Sequence, residues 1–147
     1  MNLKIFIEFE NPNYESNGMR NFGVEQIANQ LVLEFSKNNG ISDISNEELW
    51  LDAGIFFKCS FGENSFLIFI AKYEINEPWQ LTIELEKYPS FFSKIFGKYI
   101  YYTDDLKKFT VYTFKTLLKC LNPSNINVCI SSNVEKVVKD PSKLDWS

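Results

Sequence analysis

Apolar and polar residues alternate along the first ten positions of the chain. Ile5, Ile7 and Phe9 are separated by single residues, and this period of two is typical of a strand with one buried face. Phe6 breaks the alternation, because it places an aromatic ring on the face that the pattern assigns to solvent. The stretch 11–18, NPNYESNG, is dense in turn-forming residues, so a loop follows the predicted strand.

The next segment has the periodicity of an amphipathic helix. Between about residues 19 and 39 apolar residues recur at three- and four-residue spacing, and Gly40 stands where a helix often ends in a glycine. The positions that define the apolar stripe are Val24, Ile27, Ala28, Leu31 and Phe35. A helix over this range is the firmest local prediction that the pattern makes.

Three β-rich runs follow a polar connection at 42–48. They cover residues 49–61, 65–75 and 79–88, and only the short turn stretches GEN and NEP separate them. Short connections between consecutive strands favour antiparallel pairing, so the runs predict a three-stranded meander. The middle run is apolar on both faces, as expected for a central strand.

The C-terminal third predicts a second helix, a strand and a small final helix. Thr103 is the expected N-cap of a helix that continues to about residue 121, with acidic residues in its first turn and lysines near its end. Its β-branched content leaves a strand as the alternative. Residues 126–131 predict a short strand, and residues 132–140 a final helical turn or two that Pro141 ends.

This order of elements predicts an α+β fold. We expect a mostly antiparallel sheet of about five strands with two main helices packed on one face, and the 147 residues match a single globular domain, 1–147. The face opposite the helices is then expected to display an apolar group that something must cover. Its members are Phe6, Phe56, Phe66, Ile68 and Ile70.

The stretch 90–102, SFFSKIFGKYIYY, is the densest aromatic run in the chain. One interpretation folds it over that apolar sheet face, with its lysines reaching water. The other leaves Tyr99, Tyr101 and Tyr102 exposed as a protein-binding surface, because tyrosine combines a large apolar area with a polar tip. The sequence leaves this choice open.

Composition excludes several kinds of chemistry. The chain has no histidine, which removes the usual general base and most transition-metal sites, and its three cysteines have no CxxC spacing. Glu84 and Glu86 have the spacing of a carboxylate pair, but alternating glutamates on a solvated strand are the simpler interpretation. We therefore predict no catalytic residue, no metal, no cofactor and no disulfide framework. Reduced cysteines and the lack of a signal peptide or a long apolar run favour a cytoplasmic protein without a membrane segment.

The charge is distributed unevenly along the chain. Residues 1–89 carry 14 acidic and 6 basic side chains, whereas residues 90–147 carry 5 acidic and 9 basic ones. Arg20 is the one arginine among 15 basic residues, which disfavours nucleic acid as a partner. The acidity itself suggests a negative surface that attracts a basic protein, against the simpler interpretation of charge that only maintains solubility. The candidate partner-binding residues are Glu8, Glu10, Asp43, Glu47, Glu48, Asp52, Glu84 and Glu86, together with the three tyrosines.

A small, acidic, single-domain α+β chain with reduced cysteines and no catalytic residues resembles the immunity proteins of bacterial contact-dependent and polymorphic toxin systems. The resemblance implies a protein that binds and blocks a cognate toxin, often a basic nuclease, in the cytoplasm of the producing cell. No motif carries it, so it transfers no functional residue. The alternatives are a small-molecule-binding or enzymatic domain with an aromatic-lined pocket, or a structural accessory subunit.

Overall fold

The computed structural model describes residues 3–10, 20–50, 54–73, 77–86 and 98–146. It confirms an α+β architecture in which one large sheet carries two long helices. The helices are α1 (Arg20–Ser36) and α2 (Lys98–Leu121), and a short 3-10 turn covers Pro141–Lys143. The strands are β1 (Lys4–Glu10), β2 (Ile41–Ser42), β3 (Glu48–Trp50), β4 (Gly54–Phe61), β5 (Asn64–Ala71), β6 (Trp79–Leu85), β7 (Ser124–Ile130) and β8 (Asn133–Val138).

All strand pairs of the described sheet are antiparallel. The order across the sheet is β2, β4, β5, β6, β1, β7, β8, and β3 pairs with β4 on the same side as β2. The sheet therefore has seven strand positions, not about five, and β2 and β3 share the first one. These two strands are two and three residues long, too short for an alternating pattern to show.

The prediction of a final helix over 132–140 is wrong. This segment forms β8, which pairs with β7 through Val128 and Val138 and through Ile130 and Asn133. Valines at 134, 137 and 138 imitate the three- and four-residue spacing of a helix. However, β-branched residues favour strands, and the two-residue turn after Ile130 folds them back along β7.

Helix α2 begins at Lys98, so the prediction that Thr103 caps it is also wrong. A polar residue that could cap a helix does not have to end it, because each residue added to the helix gains a backbone hydrogen bond. Of the aromatic stretch 90–102, residues 98–102 therefore belong to α2, and residues 90–97 lie outside the described part of the chain. The helix does end at Leu121 with Lys119 in its last turn, as the sequence predicts.

The hydrophobic core lies between the sheet and the two helices. Phe35 of α1 contacts Phe57 of β4 and Phe109 of α2, with ring centroids 6.0 and 5.7 Å apart, and Phe109 stacks on Phe66 of β5 at 4.8 Å. Both helices therefore pack on the same face of the sheet. Other fully buried residues on this face include Ile5, Ile7, Ile68, Ile70, Leu81 and Ile83.

The expected location of Phe66, Ile68 and Ile70 opposite the helices is therefore wrong. Their strand is apolar at every position from 66 to 71, so the sequence does not show which of its residues face the helices. An assignment that is wrong by one residue exchanges the two faces of the strand. Leu67 and Phe69 occupy the face away from the helices instead.

A polar contact joins the β4–β5 hairpin to α2. Asp105 Oδ2 accepts hydrogen bonds from the backbone N–H of Glu63, at 3.0 Å, and from Asn64 Nδ2, at 2.7 Å. Gly62 in this turn has φ of 63°, and a Cβ atom there would lie 2.5 Å from Asp105 Oδ1. Glycine therefore permits both the turn and the close approach of the carboxylate.

Candidate functional site

The sheet face that points away from α1 and α2 is the main candidate surface, and we call it the open face. Strand alternation and cross-strand pairing assign its residues. They are Lys4, Phe6, Glu8 and Glu10 of β1, Glu48 of β3, Phe56 and Lys58 of β4, Leu67 and Phe69 of β5, Gln80, Thr82 and Glu84 of β6 with Glu86 just beyond it, and Asn127 and Cys129 of β7.

An apolar row crosses the open face at right angles to the strands. Cross-strand pairs place Phe56 beside Phe69, Phe69 beside Thr82, Thr82 beside Phe6, and Phe6 beside Cys129. The rings of Phe56 and Phe69 are 5.6 Å apart. All five side chains are partly exposed, so the row forms the apolar centre of a surface.

Two depressions lie side by side on this face, and they share Phe6 and Gln80. The first has a volume of about 170 Å³ and the second about 290 Å³. The first is lined by Lys4, Phe6, Phe69, Ala71, Tyr73, Gln80, Thr82 and Glu84. The second is lined by Phe6, Glu8, Gln80, Asn127, Val128, Cys129, Val134 and Val137. Phe6 thus lines both depressions.

The valines of the second depression depend on an irregularity in β8. Residues three apart in a regular strand point to opposite faces, yet Val134 and Val137 line the same depression. The pairing of β7 with β8 shifts register between Val128 and Ile130, and this bulge accounts for the common orientation. The two valines are 56% and 51% exposed, so they add accessible apolar surface beside Phe6.

The charged residues of the open face are partly paired. Lys4 Nζ lies 3.0 Å from Glu84 Oε2, and Lys58 Nζ lies 3.1 Å from Glu86 Oε1. Glu10 Oε2 accepts a hydrogen bond of 2.7 Å from the neutral amide of Asn125. The predicted pair Glu84 and Glu86 is therefore part of an alternating charge pattern and does not form a bare acidic patch.

The structure brings five of the predicted acidic residues together on the open face, namely Glu8, Glu10, Glu48, Glu84 and Glu86. Asp43 and Glu47 lie apart from them, in the connection between β2 and β3. Loss of hydration raises the pKa of Glu47, and the nearby carboxylate of Glu25 on α1 raises it further.

The remaining predicted residues are not assigned to this surface. Asp52 lies outside the described residues, and Tyr99, Tyr101 and Tyr102 belong to the first turns of α2. Their role in partner binding stays a prediction.

Sequence reasoning missed the valines of β8, because the segment was predicted to be helical. It also missed the continuity of the apolar row, because it assigned the wrong residues of β5 to the open face. The local signals were Phe6, the aromatic residue that interrupts the polar face of β1, and Phe56, which the sequence also assigned to the face opposite the helices.

The surroundings of all three cysteines disfavour the thiolate. Burial raises the pKa of Cys59 to about 12, and loss of hydration also raises the pKa of Cys120 and Cys129. Glu8 adds to the effect at Cys129, because a nearby negative charge disfavours the thiolate. An activated thiol nucleophile requires the opposite shift.

Within the described ranges, no group of three or more histidine, cysteine, aspartate or glutamate residues is placed to hold a metal ion. In that same part of the chain, neither helix combines the length and the apolar character needed to cross a membrane. Comparisons of the chain with protein-family models, curated proteins and solved structures give no match.

Proposed function

We propose that this chain is a protein-binding domain that holds its partner on the open face. The observation that carries the proposal is Phe6, an aromatic residue flanked by two depressions on a sheet face that α1 and α2 leave uncovered. Contiguous apolar surface of this kind marks interaction sites in proteins.

The arrangement favours a macromolecular partner. Protein interfaces have an apolar centre with aromatic residues and a polar, solvated rim. The row through Phe6 and the exposed valines supply the centre, and the ion pairs Lys4–Glu84 and Lys58–Glu86 supply part of the rim. Two adjoining depressions on a sheet surface can accept two projecting side chains of a partner protein. A small ligand would instead need one enclosed pocket.

The charge of the open face favours a basic partner. Its strand residues and the adjoining Glu86 include five glutamates. Lys4 and Lys58 pair with two of them, and Lys139 donates a hydrogen bond to Asn127, so five carboxylates outnumber three lysines. Glu8 and Glu48 are exposed. Complementary charge of this kind accelerates association and helps to fix orientation.

We further propose that the partner is a cognate bacterial toxin and that the protein acts as its immunity protein in the cytoplasm. The support is the resemblance in size and character stated for the sequence, together with an acidic surface suited to a basic toxin such as a nuclease. Binding would neutralise the toxin by covering its active site.

The first test is co-purification of the tagged protein with the product of the adjacent upstream gene, combined with a growth assay. We expect a stable complex and restored growth of cells that express the toxic product. A toxic product that neither binds nor is neutralised would contradict the immunity role.

Matched surface variants test the location of the site. The double variant Val134→Lys and Val137→Lys places positive charge in the second depression, where it would also repel a basic partner. Leu33→Lys is the control, because it changes a similarly exposed aliphatic residue of α1, 58% exposed. We expect the first variant to weaken binding at least about a hundredfold, because two buried apolar contacts become desolvated charges. Equal affinities of the two variants would place the interface elsewhere.

Neutralising variants test the charge contribution. Glu8→Gln combined with Glu48→Gln should slow association at low salt, and the difference should shrink at high salt. Glu63→Gln, in the β4–β5 turn, is the control. An association rate that is unchanged at low salt would refute the acidic contribution while leaving the apolar site intact.

A further inference from the structure

The outer surface of α2 is locally basic in a protein of net charge −4. Helical spacing of three and four residues places Lys107, Lys108, Val111, Tyr112 and Lys115 along one side of the helix. These five residues line an open depression of about 370 Å³. The depression therefore combines an apolar floor with lysines at both ends.

Two carboxylates, Asp104 and Asp140, offset part of the charge of these lysines. Lys108 forms an exposed ion pair of 3.0 Å with Asp104, one turn earlier. Lys107 Nζ lies 5.6 Å from the ring centroid of Trp146, a contact that leaves its charge uncompensated. Lys115 is exposed. Hydrogen bonding lowers the pKa of the Asp140 carboxyl, and Lys115 helps to lower it further, so these two charges lie near each other. The three lysines outnumber the two nearby carboxylates, and the surface keeps a net positive charge.

The apolar floor is held in place by the core. The ring of Tyr112 packs against Phe35 at 5.6 Å, and its hydroxyl donates to the carbonyl oxygen of Glu34 at 3.5 Å. Val111 precedes it and is partly exposed. A ligand would therefore meet a preformed surface, which lowers the cost of ordering on binding.

We infer that this depression binds an acidic protein segment that carries an apolar anchor side chain between its carboxylates. Lys108 and Lys115 are seven positions apart, which corresponds to about 10.5 Å along the helix axis. Every second side chain of an extended peptide points to the same face, and positions i and i+4 are about 13 Å apart. The flexible lysine side chains span this small difference, so carboxylates at i and i+4 reach both lysines while the apolar side chain at i+2 contacts Val111 and Tyr112.

Charge and chemistry favour a peptide over nucleic acid at this site. Lysines act as point charges that suit carboxylates as well as phosphates, whereas arginine is the residue that reads bases and phosphates bidentately. The depression supplies one aromatic ring, and sequence-independent binding of single strands uses several rings on which bases stack. The inference is independent of the function proposed for the open face, which lies on the other side of the sheet.

The experiment uses a fluorescein-labelled peptide of about twelve residues, with glutamate at every fourth position, leucine midway between successive glutamates and serine elsewhere. Binding to the full chain is measured by fluorescence anisotropy at low ionic strength. The comparison probes are the same peptide with lysine for glutamate and a single-stranded thymidine oligonucleotide. We expect saturable binding of the acidic peptide and no binding of the basic one.

Variants then locate the binding. Changing Lys107, Lys108 and Lys115 together to glutamine should weaken the acidic peptide about tenfold, because three exposed charge interactions are lost. Lys136→Gln on β8, also an exposed lysine, should leave the affinity unchanged. Val111→Ser should weaken binding without altering its salt dependence.

Three results would overturn the inference. The first is no binding of the acidic peptide at low ionic strength, and the second is equal affinity for the triple glutamine variant. The third is tighter binding of the oligonucleotide than of the acidic peptide, which would assign the surface to nucleic acid. Circular dichroism of each variant checks that the fold is retained.

Discussion

Removal of the Asp105 carboxylate should detach the β4–β5 hairpin from α2. Asp105→Ala eliminates the acceptor of two hydrogen bonds, one from the backbone of Glu63 and one from the side chain of Asn64. The neighbouring Asp104→Ala is the matched control, because the contact of Asp104 within the described part of the chain is an exposed ion pair with Lys108. The two variants remove the same group from adjacent positions of one helix.

The expected magnitudes differ clearly. Hydrogen bonds to a charged group contribute roughly 1.5 to 3 kcal/mol each, but Glu63 is exposed and water replaces part of that loss. We therefore expect Asp105→Ala to reduce the free energy of unfolding by about 2 kcal/mol. Asp104→Ala should cost about 0.4 kcal/mol, as for other exposed pairs one helical turn apart. Asp105→Asn keeps a neutral acceptor and should fall between the two.

Gly62 provides an internal check on the same contact. Gly62→Ala introduces a Cβ atom 2.5 Å from Asp105 Oδ1 at a residue with φ of 63°. The left-handed conformation alone costs about 1 to 2 kcal/mol for a residue with a side chain. When Gly62→Ala is combined with Asp105→Ala the clash disappears, so the double variant should be more stable than the sum of the single effects predicts, by about 1 kcal/mol.

Thermal and urea unfolding followed by circular dichroism measure these differences. For a domain of this size, about 2 kcal/mol corresponds to a decrease in Tm of about 6 °C. If Asp105→Ala and Asp104→Ala unfold at the same temperature and at the same urea concentration, the carboxylate does not hold the hairpin and the reasoning is refuted. Additive effects of the Gly62 and Asp105 changes would contradict the proposed clash.

Three further predictions concern the core, the thiols and pH. Phe109→Ala should destabilise the fold by about 4 kcal/mol in urea unfolding, because its ring stacks on the core of β5; a loss below about 1 kcal/mol would contradict this packing. Mass spectrometry after alkylation of the native protein should detect labelled Cys120 and Cys129 before Cys59, whose burial raises its pKa to about 12; equal rates would refute the burial argument. Hydrogen bonds from two lysines lower the pKa of Glu34 below its ordinary value of 4.5, so its contribution to stability is present above that value and is lost as the pH falls through the lowered pKa. Urea midpoints of the wild type and Glu34→Gln should therefore converge in acid, and a constant difference would be the contrary result.

Local pattern predicted most of the regular structure. Strand β1 and helix α1 have a clear period of two or of three to four residues, and short turn stretches delimit the meander β4–β5–β6; the structure confirms all of these elements. The predictions failed where the pattern was ambiguous. Valine spacing in β8 imitates a helix, and the apolar strand β5 gives no phase for its two faces. Whether a segment forms a strand, and which of its faces is buried, depends on the strand it pairs with. The periodicity of the segment itself carries no information about that partner.

The candidate surface was predictable only in part. Phe6 stood out in the sequence, and five of the eight acidic residues named there share the open face. The sequence could not foresee that Lys4 and Lys58 neutralise Glu84 and Glu86, because these pairs join residues far apart in the chain. Nor could it place Val134 and Val137 beside Phe6, since a bulge in a long-range strand pair orients them.

The uneven charge along the chain shows the same division. Sequence alone determined that the first 89 residues are acidic and the rest are basic. The tertiary structure decided that many of these charges lie on opposite sides of one sheet, glutamates on the open face and lysines on the outer surface of α2. The physical reason is that residue type sets the charge and the local periodicity, whereas strand order and helix packing set which distant side chains become neighbours.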